Sequence, residues 1–130
     1  MAIMKTIVCK ESPPPSGHYS SAVVHGGVVY VSGQLPRVPG QPADFALPTI
    51  EEQTRQALLN AEAILLAAGS RRELVLRSTL YVSDISYWAP VNAEYAAFFG
   101  DHKPARAIVP VGKFRNGFLI EIDMIAAVSA

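Results

Sequence analysis

The sequence has few charged residues, a single cysteine and no long apolar run. Asp, Glu, Lys and Arg make up 17% of its 130 residues, where roughly 25% is usual for a soluble domain, and eleven cations balance eleven anions. A dedicated nucleic-acid binder needs surplus cations to displace counterions, so the neutral balance counts against nucleic acid as a partner. No stretch approaches the ~20 apolar residues that span a bilayer, so no membrane partner is expected either.

The sequence also lacks the common motifs of metal, nucleotide and serine-hydrolase sites. Cys9 is the one cysteine, so an internal disulfide is excluded and a reducing cytoplasm is the expected compartment. Neither Cys9 nor the three histidines follow a metal-ligand spacing, and no G-x-S-x-G elbow, P-loop or G-x-G-x-x-G occurs. Met1–Cys9 is interrupted by Lys5 and is too short for the apolar region of a signal peptide. We therefore expect a protein without metal or cofactor.

Apolar residues, in contrast, make up half of the chain. Their share is 50%, and the mean hydropathy is +0.23. The length suits one domain, residues 1–130. A small monomer of this composition has few charged side chains with which to cover its surface. We therefore expect some apolar surface to be buried between subunits.

The pattern along the chain alternates between strand and helix. Strand-like runs lie at 4–9, 20–24, 28–32, 74–82, 105–111 and 118–128, with a tight Gly26-Gly27 turn between the second and third and a Pro-rich loop at 33–48. Thr49 and Glu52 have the spacing of a capping box and open a helix that Gly69 ends, and a second helix runs from Pro90 to Phe99. The order β-β-β-α-β-α-β-β predicts one sheet with helices packed on a face.

Arg106 is the first candidate for a functional role. It lies in Pro104-Ala-Arg106 at the start of an otherwise apolar strand, where an arginine is costly unless an anion pairs with it. Its planar fork suits a carboxylate, either of the protein or of a ligand. The alternative is an arginine on an edge strand that points to solvent.

Glu121 and Asp123 form the second candidate. Period-two alternation places both on one face of the last strand, bounded by apolar residues. Either this is a solvated sheet face, or a carboxylate there is partly buried, has a raised pKa and can serve as a base. A hairpin centred on Lys113-Phe114 would bring Arg106 opposite Glu121, whereas one centred on Asn116-Gly117 would not. The sequence leaves open both this register and whether the two strands are neighbours.

A third candidate lies where a strand enters the Pro-rich loop. In Val31-Ser-Gly-Gln34 the Ser32 hydroxyl and the Gly33 backbone N–H can face a ligand, although Gly33 also suits a simple turn. Tyr19 supplies a phenol after the prolines, or is only a half-buried aromatic.

Seven segments, taken together and in order, resemble the reactive intermediate deaminase family, also called YjgF/YER057c/UK114. They are Gly17-His-Tyr19, Val31-Ser-Gly-Gln-Leu-Pro36, Gln53–Gly69, Tyr81-Val-Ser-Asp84, Val91–Phe99, Pro104-Ala-Arg106 and Ile120-Glu-Ile-Asp123. The resemblance implies a chorismate-mutase-like α+β fold, with a single mixed β-sheet and two helices packed on one face. It also implies a homotrimer with ligand clefts between subunits.

The implied activity is hydrolysis of reactive 2-imino or enamino acids to 2-oxo acids and ammonia, with no cofactor. An example is 2-iminopropanoate formed from 2-aminoacrylate. By motif, Arg106 would clamp the substrate carboxylate, and Glu121 would position and activate the attacking water. Ser32 and Gly33 would contact the ligand, and Tyr19 would form a wall of the cleft.

The resemblance assigns two further residues and has three departures. Asn92 would reach the ligand from the neighbouring subunit's side. Ile108 stands where family members often carry a cysteine, which makes the pocket more apolar and removes a thiol. His18 replaces the proline of a Gly-Pro-Tyr motif, and Ser21 stands where glutamine is frequent.

Two other functions compete with the deaminase. One is a non-catalytic trimer of the same fold that binds small carboxylates or has a regulatory role, which the replacements at Ile108 and His18 favour. The other is ribonuclease or inhibition of translation, functions that belong to the family's history. The neutral charge counts against the latter.

Overall fold

Six strands form one mixed sheet in the computed structural model, which describes residues 3–129. The strands are β1 (Lys5–Ile7), β2 (Ala22–His25), β3 (Val28–Gln34), β4 (Val75–Val82), β5 (Ala105–Pro110) and β6 (Ile120–Ala127). Their spatial order is β1-β2-β3-β6-β4-β5, and the β4–β5 pair is parallel while the others are antiparallel. Together with α1 (Ile50–Ala67) and α2 (Trp88–Phe99), they confirm the predicted α+β class and order of elements.

Both ends of α1 form as the sequence predicts. The Thr49 hydroxyl accepts a hydrogen bond from the Glu52 backbone N–H at 3.1 Å and donates one to the Glu52 carboxylate at 2.8 Å. At the other end Gly69 has φ +82°, and the Ser70 N–H returns to the Leu65 carbonyl at 2.8 Å. This is a Schellman ending, in which a residue with positive φ closes the last turn.

The core lies between the sheet and the two helices, which cover the same face. The apolar stripe of α1, including Ala57, Leu58 and Ile64, is fully buried against β3 and β6. Val91, Tyr95 and Phe99 of α2 extend this core toward β4. Within residues 3–129, neither helix has the length and apolarity needed to traverse a bilayer.

Several element boundaries differ from prediction, and two of these differences have clear local reasons. Strand β3 continues through Gly33 and Gln34, which were expected to lie in the loop, because a bulge after Val31 lets the strand keep pairing with β6. Helix α2 begins at Trp88 rather than Pro90. A 3₁₀ turn, Ile85–Tyr87, leads into it, and the Asp84 carboxylate accepts the Ser86 N–H at 2.8 Å at its start.

Strand β6 lies between β3 and β4, and this placement decides the question that the sequence left open. β5 pairs only with β4 in the sheet, so β5 and β6 are not neighbours and neither hairpin register applies. Asn116 (φ +62°) and Gly117 (φ +78°) do form a tight turn, but it leads the chain back across the sheet. The predicted alternation of β6 is confirmed, because its residues alternate between buried and half-buried.

Candidate functional site

Four of the predicted site residues line one cleft of about 330 Å³, here called the Glu121 cleft. These are Tyr19, Ser32, Gly33 and Glu121. The cleft lies at the end of β3, where the chain leaves the sheet for the Pro-rich loop. The Tyr19 side chain is 44% exposed, and its oxygen accepts the Ser16 N–H at 3.2 Å.

The bulge in β3 shapes this cleft. Ser32 and Gly33 lie between the paired positions Val31 and Gln34, opposite Asp123 of β6. The Ser32 hydroxyl donates to the Ser20 carbonyl at 2.6 Å. Because its proton is engaged there, the Ser32 oxygen faces the cleft as an acceptor. Bulges of this kind commonly redirect side chains beside active sites.

Glu121 is a half-buried carboxyl group with a raised pKa. Burial is the main cause, because it penalises the charged form, and the nearby Asp123 carboxylate raises the pKa further. Asp123 itself accepts a hydrogen bond from the Tyr81 hydroxyl at 3.0 Å. The sequence left two alternatives for Glu121, a solvated sheet face or a partly buried carboxylate, and the structure shows the second. A carboxyl group that exchanges its proton closer to neutral pH is suited to general acid–base chemistry.

Gln53 fixes the backbone that leads to Glu121. Its amide nitrogen donates to the Leu47 carbonyl at 2.8 Å and to the Gly117 carbonyl at 3.1 Å. Its amide oxygen accepts the Leu119 N–H at 2.7 Å. The side chain is almost fully buried, so these bonds are shielded from water. They hold the start of β6, two residues before Glu121, against the start of α1.

Arg106 of β5 forms the second cluster, with residues of α2. Its Nη1 donates to the Asn92 Oδ1 at 2.8 Å, and its guanidinium carbon lies 5.0 Å from the Tyr95 ring centre and 5.8 Å from that of Trp88. No carboxylate of residues 3–129 forms an ion pair with it. The guanidinium is thus oriented by an amide and two rings, while its charge is left for an anion from outside the chain.

A cavity of about 420 Å³, the Arg106 cleft, adjoins this cluster. Asn92, Tyr95 and Phe99 of α2 line it together with Arg106. Ile108 pairs with the buried Leu80 and lies on the same side of β5, packed partly against the core. Ile108 is not among the residues that line the Arg106 cleft, so its expected contact with the ligand stays a prediction.

The two clusters lie on opposite faces of the sheet, so one chain does not bring Arg106 and Glu121 together. Arg106 pairs with the buried Ser78 and faces the helices, whereas Glu121 pairs with Tyr81 and faces away from them. Asn92 binds Arg106 of its own chain, and its expected approach to the ligand from the neighbouring subunit's side stays a prediction. Strand β4 separates β5 from β6, so the two strands are not neighbours. Because side chains alternate along each strand, Arg106 and Glu121 lie on opposite faces of the sheet.

Two arginines of the Glu121 cleft were missed by the sequence reasoning. Arg37 and Arg115 both line it. Arg37 follows β3 in the Pro-rich loop, and its guanidinium donates to the Pro14 carbonyl. Arg115 immediately precedes the Asn116-Gly117 turn, and that turn was the available signal. Neither arginine lies in an apolar strand, so neither has the pattern that drew attention to Arg106.

Comparison with known proteins decides the family. Residues 9–128 match the family described as Endoribonuclease L-PSP. The chain belongs to this family. A RutC family protein of Pyrococcus horikoshii is 40% identical over 124 residues, which cover 95% of this chain and 98% of that protein. The 2-iminobutanoate/2-iminopropanoate deaminase of Escherichia coli is 39% identical over 128 residues, covering 94% and 96% of the two chains.

A solved structure gives the same assignment. YyfA of Yersinia pestis, described as a conserved Rid family protein, superposes with a TM-score of 0.91 at 37% identity. The match covers 97% of this chain and 100% of that one. The predicted family and its sheet with two helices are thereby confirmed. Enzymes that act on imines are among the relatives.

Proposed function

We propose that this protein is an imine deaminase that hydrolyses 2-imino acids to 2-oxo acids and ammonia. One observation carries the proposal: the Arg106 guanidinium is oriented by Asn92 and two aromatic rings, with no carboxylate of the described residues paired to it. Such a fork binds a substrate carboxylate in two parallel hydrogen bonds. The deaminase named among the relatives, 39% identical, supports the same reaction.

The chemistry needs little more than an anchor and an acid–base group. Glu121, as the carboxylate, takes a proton from water while the water oxygen bonds to C2 and the C=N electron pair moves to nitrogen. The carboxyl group then returns that proton to the nitrogen, which completes the amine of the carbinolamine. The Glu121 carboxylate next takes the carbinolamine hydroxyl proton and passes it to the amine, so the C–N bond breaks, ammonia leaves and the oxygen becomes the 2-oxo group. Orientation and proton transfer suffice because an imine already hydrolyses in water.

The environment of Glu121 supports this double role. Its raised pKa brings the two protonation states closer in energy near neutral pH, so one group can accept and return a proton. Gly33 leaves room directly beside the carboxyl group, and Tyr19 and Ser32 line the space in front of it. These residues would form the wall of the cleft that receives the imine.

We further propose that the site is shared between subunits of a homotrimer. Arg106, Asn92 and Ile108 would come from one subunit, and Tyr19, Ser32, Gly33 and Glu121 from its neighbour. The opposite orientation of the two clusters within a chain supports this division. So does the apolar composition, since the face of the sheet away from the helices carries Tyr30, which is 48% exposed.

Mixing two inactive variants tests both proposals. Arg106→Ala and Glu121→Gln, each trimeric and each slow alone, are unfolded together and refolded at equal amounts. A site that spans two subunits is intact when each half comes from the chain that retains it, so about one quarter of wild-type activity returns. The assay generates the imine in situ with an amino-acid oxidase and follows the 2-oxo acid. If the refolded mixture is inactive while wild type refolded in the same way is active, the site lies within one chain.

Calorimetry with pyruvate distinguishes the deaminase from a carboxylate-binding protein of the same fold. A deaminase accelerates imine loss in an Arg106-dependent manner. Binding of pyruvate without any acceleration by the wild type would support the non-catalytic alternative. Light scattering at a monomer mass would contradict the shared site.

A further inference from the structure

The Glu121 cleft continues into a second cavity, and the same two guanidinium groups line both cavities. This outer pocket has a volume of about 380 Å³ and is bounded by Phe114 and Phe118. The two cavities share Arg37, Arg115 and Glu121 among their lining residues. They therefore form one groove, and Glu121 and the two arginines lie where the two cavities meet.

The groove carries excess positive charge. Among the described residues that line it, Glu121 alone has a carboxyl group, and burial raises the pKa of that group. Arg37 donates to the Pro14 carbonyl, which orients its guanidinium without neutralising it. Two cations thus face one weakly acidic carboxyl group, an arrangement that attracts an anionic ligand.

Arg115 has a fixed backbone and an uncommitted side chain. The Phe118 N–H bonds to the Arg115 carbonyl at 3.2 Å across the turn, and Gln53 holds the Gly117 carbonyl at 3.1 Å. Within residues 3–129, no hydrogen bond or ion pair engages its guanidinium. The side chain can therefore bind a ligand without breaking a contact of the fold.

The proposed reaction leaves this groove for the substrate's side chain. The α-carboxylate would bind Arg106 of the neighbouring subunit, and C2 would lie beside Glu121. The rest of the substrate then extends along the groove, past Arg37 and Arg115. A neutral side chain would leave both cations without a partner, whereas a terminal carboxylate would form charge-assisted hydrogen bonds with them.

We infer that the groove selects 2-imino acids whose side chain ends in a carboxylate, and that Arg115 is the specificity-determining residue that binds it. This inference rests on the proposed deaminase function. It assigns Arg115 to substrate binding and gives it no part in the proton transfers. Hence Arg115→Gln should raise KM for dicarboxylic imines and leave kcat nearly unchanged.

The test compares two imines of equal chain length. An oxidase that accepts each amino acid generates one imine from glutamate and the other from norvaline, which lacks the distal carboxylate. We expect wild type to favour the glutamate imine and Arg115→Gln to lose about fivefold in kcat/KM for that substrate alone. The loss should shrink at high salt, because the pair is exposed to solvent. Lys113→Gln is the matched control, since this exposed cation lies two residues away and lines neither cavity.

The outcomes separate this inference from the proposed function. Equal kcat/KM for both imines, or an equal effect of Arg115→Gln on both, would overturn the inference while leaving the deaminase intact. If no imine is hydrolysed in an Arg106-dependent manner, the deaminase fails. The subsite is then judged by calorimetry, in which 2-oxoglutarate should bind more tightly than 2-oxopentanoate in wild type and not in Arg115→Gln. Equal binding of the two would overturn the subsite as well.

Discussion

Gly33 lies so close to Glu121 that a methyl group on Gly33 would be 2.9 Å from the Glu121 Cδ. The bulge of β3 creates this contact by bringing its backbone against the carboxyl group on β6. Only a residue without a side chain leaves Glu121 in its present place. The identity of residue 33 therefore determines where the proposed acid–base group lies.

Gly33→Ala should reduce activity without unfolding the protein. Its Cβ would meet the far end of a flexible side chain, so the carboxyl group moves and the backbone stays. We expect kcat to fall at least tenfold, because general acid–base catalysis depends on position. Gly112→Ala is the control, as nothing lies within 4 Å of a methyl group there. Normal kcat in Gly33→Ala would argue against a role for Glu121 at its present position.

Arg106→Lys tests whether the fork of the guanidinium matters or only its charge. Lysine keeps the charge but loses bidentate geometry, so we expect kcat/KM to fall about tenfold, and about a hundredfold for Arg106→Ala. Thermal unfolding should change little, since Arg106 has one side-chain hydrogen bond, to Asn92. Arg77→Lys on β4 is the control. Full activity in Arg106→Lys would show that a point charge is enough.

Glu121→Gln should stabilise the protein at neutral pH. Burial raises the pKa of Glu121, so the folded chain binds its proton more tightly than the unfolded chain. Stability from this group is present below its unfolded pKa and is lost as pH rises through the folded value. Above that window the variant should exceed wild type by about 1 kcal/mol or less, and the difference should vanish at acid pH. Urea unfolding at one protein concentration measures it, with the exposed Asp101→Asn as control.

Asp123→Asn should move the acid limb of the pH–activity profile to lower pH. The Asp123 carboxylate is the second cause, after burial, of the raised pKa of Glu121. Removing the charge lowers that pKa, so the carboxylate form that activates water persists into more acidic solution. Asparagine still offers an oxygen to the Tyr81 hydroxyl. A limb that stays in place or moves to higher pH would show that another group controls it.

Gln53→Ala should destabilise the fold by about 3 kcal/mol. It leaves the Leu47 and Gly117 carbonyls and the Leu119 N–H without their partner in a buried site. Gln56→Ala, which breaks one bond between side chains of α1, is the control and should cost less than about 1 kcal/mol. Equal losses in urea unfolding would contradict the role given to Gln53.

Much of this molecule follows from patterns that are local in the sequence. The Thr49 cap, the Gly69 ending and the Gly26-Gly27 turn depend on neighbours along the chain, and they form as predicted. The alternation that places Glu121 and Asp123 on one face is equally local. The family could also be predicted from the sequence, because its motifs are distributed along nearly the whole chain.

The assembly of the candidate site depends instead on contacts between distant parts of the chain. Whether Arg106 and Glu121 share a face depends on which strands pair, and the insertion of β6 beside β4 is a nonlocal choice. The raised pKa of Glu121 and the place of Arg115 depend on the same packing. Local sequence determined the elements and their faces, because helices, turns and strands obey short-range rules. Only the tertiary structure decided which side chains meet, because strand pairing is set by burial of the whole core.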